Sequence, residues 1–285
     1  MKLRIADGGL RIVRAMFGLR IRNPQSAIRN ALIALTLAAP ASATAQVDPS
    51  GEWRTLHTEH FRVHFRPAYR AVARDAAAEA ERAYALLATE LRPPRGTIDL
   101  TIADDVDAPN GFASTFPSNR ITVLLTPPVS DPALHRYDSW RRLVIVHELA
   151  HLFHLDRSRG VWGLLQSVFG RAPGLFPNQW QPSWVVEGLA TYYESRFTAG
   201  GRADGSFHRE VVGADALGGT ARSPWDALLF TRWPTGLAPY AYGSRFWVAV
   251  ADADPATVPR FVEASAGQLI PFRVGRPLRH AGAPR

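Results

Sequence analysis

His147, Glu148 and His151 stand in the run Val144-Ile-Val-His-Glu-Leu-Ala-His-Leu-Phe-His-Leu-Asp156. Two histidines four apart lie one above the other on a helix face, where both imidazoles can reach one metal ion. The glutamate between them is placed to take a proton from a water that the ion activates, which is the chemistry of a zinc hydrolase. Three fixed positions also coincide by chance, so the reading requires a further ligand. The chain has no cysteine, which excludes disulfides, thiolate zinc sites and a lipid anchor on an N-terminal cysteine. Any zinc must therefore sit on histidine and carboxylate. Pro182-Ser-Trp-Val-Val-Glu-Gly-Leu-Ala-Thr-Tyr-Tyr-Glu194 is the second stretch of interest. It reads as a largely buried helix, and a carboxylate in its first turns, Glu187, needs a cation. Gly188, next to it, would let another backbone come close.

Together, HELAH at 147–151 and Trp184-Val-Val-Glu-Gly-Leu-Ala190 resemble the gluzincin branch (MA clan) of zinc metallopeptidases, in which a WxxEGxA helix supplies the third ligand. The similarity is greatest to exported bacterial peptidases of that branch whose catalytic domain precedes a β-propeller. The two motifs span about fifty residues, and a looser similarity runs from residue 52 to 272, through 110–125 and Pro239-Tyr-Ala-Tyr-Gly243. The resemblance implies one Zn2+ per chain on His147, His151 and Glu187, with water in the fourth position and Glu148 as general base. Tyr240 and Tyr242 are, by the same similarity, candidates to stabilise the oxyanion, against the alternative that they only pack a helix. Glu194, two turns beyond Glu187, either orients a ligand histidine or forms a surface ion pair. No GxMEN segment is present, which points toward an endopeptidase. A propeller domain is implied too, and the chain reads as lacking one.

These groups need a scaffold to position them. Phe61-Arg-Val-His-Phe65 alternates with period two and predicts a half-buried strand, with His64 on its polar phase as a surface residue. Ala-rich sequence from Pro67 to Leu91 predicts an amphipathic helix, and Thr97–Ile102 a second strand. Asp104, Asp105 and Asp107 mark an acidic turn whose spacing matches no calcium loop. Asn110–Arg120 leading into Ile121–Leu125 suits a hairpin at a sheet edge, as plain structure or as an edge for an extended peptide to join. Asp138 or Ser139 caps the HExxH helix, which runs to Gly160, and apolar residues on nearly every face predict its burial. His154 falls a turn too far along for the same ion and serves as a supporting or packing residue. A short helix is expected at Trp162–Phe169, and Ser183 is expected to cap the helix that carries Glu187. The expected fold is α+β, a zincin-like metallopeptidase domain: a small mixed sheet over the HExxH helix, with a mostly helical C-terminal subdomain.

Charge and composition delimit the rest. Of 285 residues, 46% are hydrophobic and 20% charged, and the net charge is +8. Residues 1–45 carry seven basic groups and one acidic group, and the last sixteen residues carry four arginines and no acid. The remainder holds 22 basic and 24 acidic groups, so a nucleic-acid footprint has no support on the body of the protein. Basic residues, then Ala31–Ala39, then Ala43-Thr-Ala45 form a secretory signal pattern, with Met16 as an alternative start. The expected organisation is a signal peptide over 1–45, a catalytic core over 46–204, a helical subdomain over 205–272 with helices at 225–230, 244–250 and 257–264, and a basic disordered tail over 273–285. This implies a bacterial protein exported to the periplasm or beyond, acting on peptides or proteins, without nucleic acid and without a stable membrane anchor once the signal is cleaved. The rival class is an inactive envelope protein of the same fold that binds peptides or a partner.

Overall fold

A computed structural model of the protein describes residues 47–105, 110–129, 134, 136–223, 226–228, 236–270 and 272–282. The expected signal segment, Asp107 and half of the helix expected at 225–230 (residues 225, 229 and 230) lie outside the described residues. The protein is α+β, with a mixed five-stranded sheet and eight α-helices among the described residues. In chain order these are β1 (Arg54–His57), β2 (Phe61–Phe65), α1 (Arg70–Ala88), β3 (Ile98–Ala103), β4 (Gly111–Ser114), β5 (Arg120–Leu124), α2 (Trp140–Leu155) and α3 (Val161–Phe169). There follow α4 (Ser183–Phe197), α5 (Ser206–Leu217), α6 (Ala238–Ala253), α7 (Thr257–Ser265) and α8 (Gly275–Ala281).

The strands lie in the order β1-β2-β3-β5-β4. The inner pairs, β2 with β3 and β3 with β5, are parallel, and each edge strand is antiparallel to its neighbour. Phe61, Val63 and Phe65 on β2 and Ile98, Leu100 and Ile102 on β3 point into the core, the outcome that period-two alternation dictates. His64 sits on the other face, bonded to Thr55 and Asp99. α1 turns a stripe of alanines (Ala73, Ala76, Ala77, Ala80, Ala83) and Leu87 inward, and such small side chains let it lie close to its neighbours. Buried Glu79 on α1 pairs with Arg141 of α2 at 2.7 Å.

α2 begins where Ser139 accepts a hydrogen bond from the Arg142 amide at 3.2 Å. It ends at Leu155, not at Gly160. Asp156 leaves the helix because its buried carboxylate accepts from the Arg95 amide and side chain, from Asn119 and from Arg171. Burial alone would raise its pKa, but these donors hold it below the ordinary carboxylate value. Four chain segments thus meet at one end of α2 and fix its direction.

α4 differs from expectation at its start. Ser183 is the first helical residue and its hydroxyl donates to the Leu228 carbonyl, while Pro182 occupies the cap position. Its chief partner is α6, and the two helices cross with almost nothing between their backbones. A Cβ on Gly188 would fall 2.3 Å from the Gly243 carbonyl carbon, and one on Gly243 would fall 2.0 Å from the Trp184 oxygen. The close approach expected at Gly188 is thus present, and its partner is a second glycine. The described residues from Ser50 onward form one compact unit, so the segments expected as core and subdomain share an interior. α5 and the first turns of α6 are elements that periodicity did not announce, and 273–285, expected as disordered, contains α8 with Pro277 and Ala281 buried.

The Gly243→Ala variant has no room for its methyl group and should lose on the order of 1–3 kcal/mol, read as a shifted urea midpoint. His154 and His208 are buried, and burial, aided by His151 and Arg202 respectively, holds their pKa values down to about 3 and about 4. The unfolded chain binds those protons near the ordinary value of 6.5, so it gains protons first as pH falls. Stability contributed by these two groups is whole above pH 6.5 and falls below it, by up to about 1.4 kcal/mol per pH unit for each histidine. Urea midpoints measured between pH 7.5 and 5 should decline, and less steeply in His154→Gln.

Candidate metal centre

α2 and α4 lie side by side and bring His147, His151 and Glu187 together, each offering a ligand atom within 4.8 Å of the others. Nε2 of His147 and Nε2 of His151 each stand 3.5 Å from Oε2 of Glu187. The two imidazole rings meet edge to face at 4.8 Å. Ligands bound to zinc at about 2.0–2.2 Å in a tetrahedron are separated by roughly 3.3–3.6 Å, so both nitrogen-to-oxygen spacings fit. His147, Glu148 and His151 are buried, and Glu187 is four-fifths covered.

Behind the ligands lies a second layer. Oε2 of Glu194, fully buried, sits 2.8 Å from Nδ1 of His147. A carboxylate only accepts, so the Nδ1 proton is directed at Glu194, with Arg202 Nη2 also 2.9 Å from Nδ1, and Nε2 faces Glu187. Glu194 is therefore the orienting residue, not a surface partner. It is held in turn by Arg202, whose amide, Nε and Nη2 all donate to it at 2.6–2.9 Å. The Arg202 guanidinium also lies 4.7 Å from the centroid of the Tyr240 ring. Arg202 is the functional residue that sequence reasoning missed. It stands in the loop Thr198-Ala-Gly-Gly-Arg-Ala203, and the only signal was the glycine pair. Gly201, at φ 101°, packs where a Cβ would meet Ser195 at 2.4 Å, which turns the chain back onto α4.

The electrostatics follow from burial and from these pairs. Burial and Arg202 depress His147, but the Glu187 and Glu194 carboxylates overcome them and raise it to about 9. Glu194 is drawn down to about 2, against the effect of burial, by Arg202 and His147. Glu187 is likewise held far below the usual carboxylate range by the two histidines. Glu148 is shifted upward, chiefly by burial. The donor set has one neutral-capable imidazole pair and one carboxylate, which suits a borderline metal such as zinc.

The cluster opens on a cleft of about 400 Å³ lined by Asn110–Ala113 of the β4 segment, by Trp140, Val144 and Leu155, and by Tyr240. Gly111 lies so close that a Cβ there would stand 2.9 Å from Oε1 of Glu148. Of the two candidate tyrosines, Tyr240 lies at the site, its ring 6.3 Å from that of His147, and burial and Glu187 raise its phenol pKa. Tyr242 does not. Two residues on, it faces another side of α6, where its hydroxyl donates to Asp215 and accepts from the Arg222 amide. His154 lies outside the cleft, its carbonyl accepting from Asn178.

No protein-family model matches the chain, and no curated protein matches it.

Removing the carboxylate that steers His147 tests the second layer. Glu194→Ala should weaken metal binding by roughly 10–100-fold while the chain remains folded, as read by zinc titration against a chromogenic chelator alongside circular dichroism.

Proposed function

We propose that the protein is a zinc-dependent endopeptidase of the gluzincin type, with a zincin-like fold, acting outside the cytoplasm on peptides or proteins. The observation that carries this reading is the meeting of His147, His151 and Glu187 within 4.8 Å at the floor of a cleft, with Glu148 beside them and not among them. Three protein ligands at the floor of a cleft leave a position for a substrate or water, whereas a structural site is closed by four.

His147, His151 and Glu187 would hold the ion. When bound, zinc lowers the pKa of water and polarises a carbonyl group. The chain's own groups supply the proton movements. Glu148 accepts the proton of the attacking water and delivers it to the amine that leaves; its raised pKa brings it nearer the pH at which both transfers are effective. Tyr240 keeps its phenolic proton, since burial and Glu187 hold the pKa up, and so can donate a hydrogen bond to the oxygen on which negative charge develops. Glu194 and Arg202 fix the ring of His147 against rotation.

Placement of the substrate is supported by the sheet. β4 is an edge strand, antiparallel to β5, and its residues form one wall of the cleft. An extended peptide can add to that edge through main-chain hydrogen bonds, which present the scissile bond to Glu148 without reading a particular side chain. Glu148 lies against that strand, so close that a Cβ on Gly111 would stand 2.9 Å from its Oε1, which puts the base beside a peptide paired to the edge.

Glu148→Gln keeps the shape of the side chain and removes its basicity. The variant should retain about one zinc per chain yet cleave a quenched-fluorescent peptide library slower by on the order of 10²–10⁴, whereas Glu187→Ala should lose zinc. Unchanged turnover in Glu148→Gln would sink the hydrolytic assignment, and a folded wild type without zinc would favour a binding protein of the same fold.

A further inference from the structure

α3 is built inside out. Its one large polar side chain, Gln166, is buried, accepting from Ser158 at 2.9 Å and donating to the Leu175 carbonyl at 2.7 Å. Leu164, Val168 and Phe169 are each about two-thirds exposed (65%, 67% and 67%). A nine-residue helix that hides its amide and shows its hydrocarbon to water pays for hydration at every exposed methyl, and such a surface marks a contact.

The segment beside it has the same character. The Trp162 indole donates to the Gln268 carbonyl at 2.6 Å, and the Arg159 amide donates to Ala266, tying the start of α3 to the chain before α8. There Leu269 and Phe272 are 74% and 63% exposed. Leu269 and Ile270 are also in the wall of a depression of about 800 Å³ lined by Arg159, Arg273, Arg276, Arg279 and His280. Glu263 is the one acidic residue in its wall, and it lies 3.2 Å from Arg157, 3.5 Å from Arg92 and 4.0 Å from Arg159. Its charge is thus already matched, and the depression is strongly positive.

We propose that this face is a docking surface for an anionic phospholipid bilayer. The arginine-lined depression seats phosphate headgroups, while Leu164, Val168, Leu269 and Phe272 enter the boundary between headgroups and acyl chains. Charge complementarity selects lipid phosphate over a neutral surface, since four arginines line the depression. Apolar side chains beside clustered arginines are what interfacial binding combines: burial of hydrocarbon and attraction to anionic lipid. The contact is peripheral and reversible; no helix among the described residues is long and apolar enough to cross a membrane.

The absence of cysteine gives a direct test in the full chain. Single variants Leu164→Cys and Leu269→Cys, both at exposed positions, carry an environment-sensitive fluorophore, and Asp75→Cys on the exposed side of α1 serves as the control. With phosphatidylglycerol vesicles the probes at 164 and 269 should shift to the blue and be quenched by acyl-chain quenchers, and the probe at 75 should do neither. Arg273→Ala with Arg276→Ala should raise the vesicle concentration for half the shift by roughly thirty-fold, and inorganic phosphate alone should produce no shift. Vesicle-bound protein with unshifted probes at 164 and 269 would overturn the proposal, as would equal shifts with phosphatidylcholine. A blue shift that grows with protein concentration without vesicles would assign the face to a protein partner instead.

Discussion

Buried negative charge is the constraint around which this structure is arranged. Glu148, Glu187 and Glu194 lie together with Arg202 as their one guanidinium among the described residues, so this interior is short of positive charge by up to two units. Without an ion the deficit falls on protons, and His147 is raised for that reason. A dication at the three ligand atoms would meet the same deficit without protonating the groups that bind it. The packing of α2 on α4, the fold-back of the 198–205 loop and the depth of the cleft can all be read as consequences of keeping these groups close and dry.

The legible parts of the chain were those where local pattern and tertiary demand agree. Phe61–Phe65 alternates because one face of β2 is core, and the apolar wrap of Val144–Phe153 reports a helix covered on all sides. HELAH and Glu187 were readable as candidate partners because ligand sets recur as fixed residue types at fixed spacings, and the structure brings His147, His151 and Glu187 within 4.8 Å of one another. Gly188 was readable as a close approach, but its partner was not, since nothing in Pro239-Tyr-Ala-Tyr-Gly243 says which helix it crosses.

What stayed hidden depends on contacts distant in sequence. Asp156 ends α2 through Arg95, Asn119 and Arg171, none of them a local signal. Arg202 lies in a loop whose composition reads as a simple linker. Tyr240 and Tyr242 are two apart in one motif, and only the direction of α6 separates the one beside the His147–His151–Glu187 cluster from the one bonded to Asp215. The C-terminal arginines read as a solvated tail because Pro and Gly suggest disorder; in the structure Arg276 and Arg279 ride on a helix anchored by Pro277 and Ala281.

The contact between Gly188 and Gly243 has a mechanical meaning. No side chain separates the helices at this point, and just beyond it the Trp247 indole donates to the Val185 carbonyl and the Phe246 ring meets Trp184 edge to face, so the crossing is the best-fixed point along α6. Glu187 is adjacent to it, and Tyr240 is three residues, about 4.5 Å of helix rise, away; the far end of α6 is about 15 Å away. A pivot of about ten degrees would carry that end by roughly 2.6 Å and Tyr240 by under about 1 Å. Any rocking of α6 about this point would therefore displace Glu187 and the Tyr240 phenol least, close to the axis where such motion vanishes.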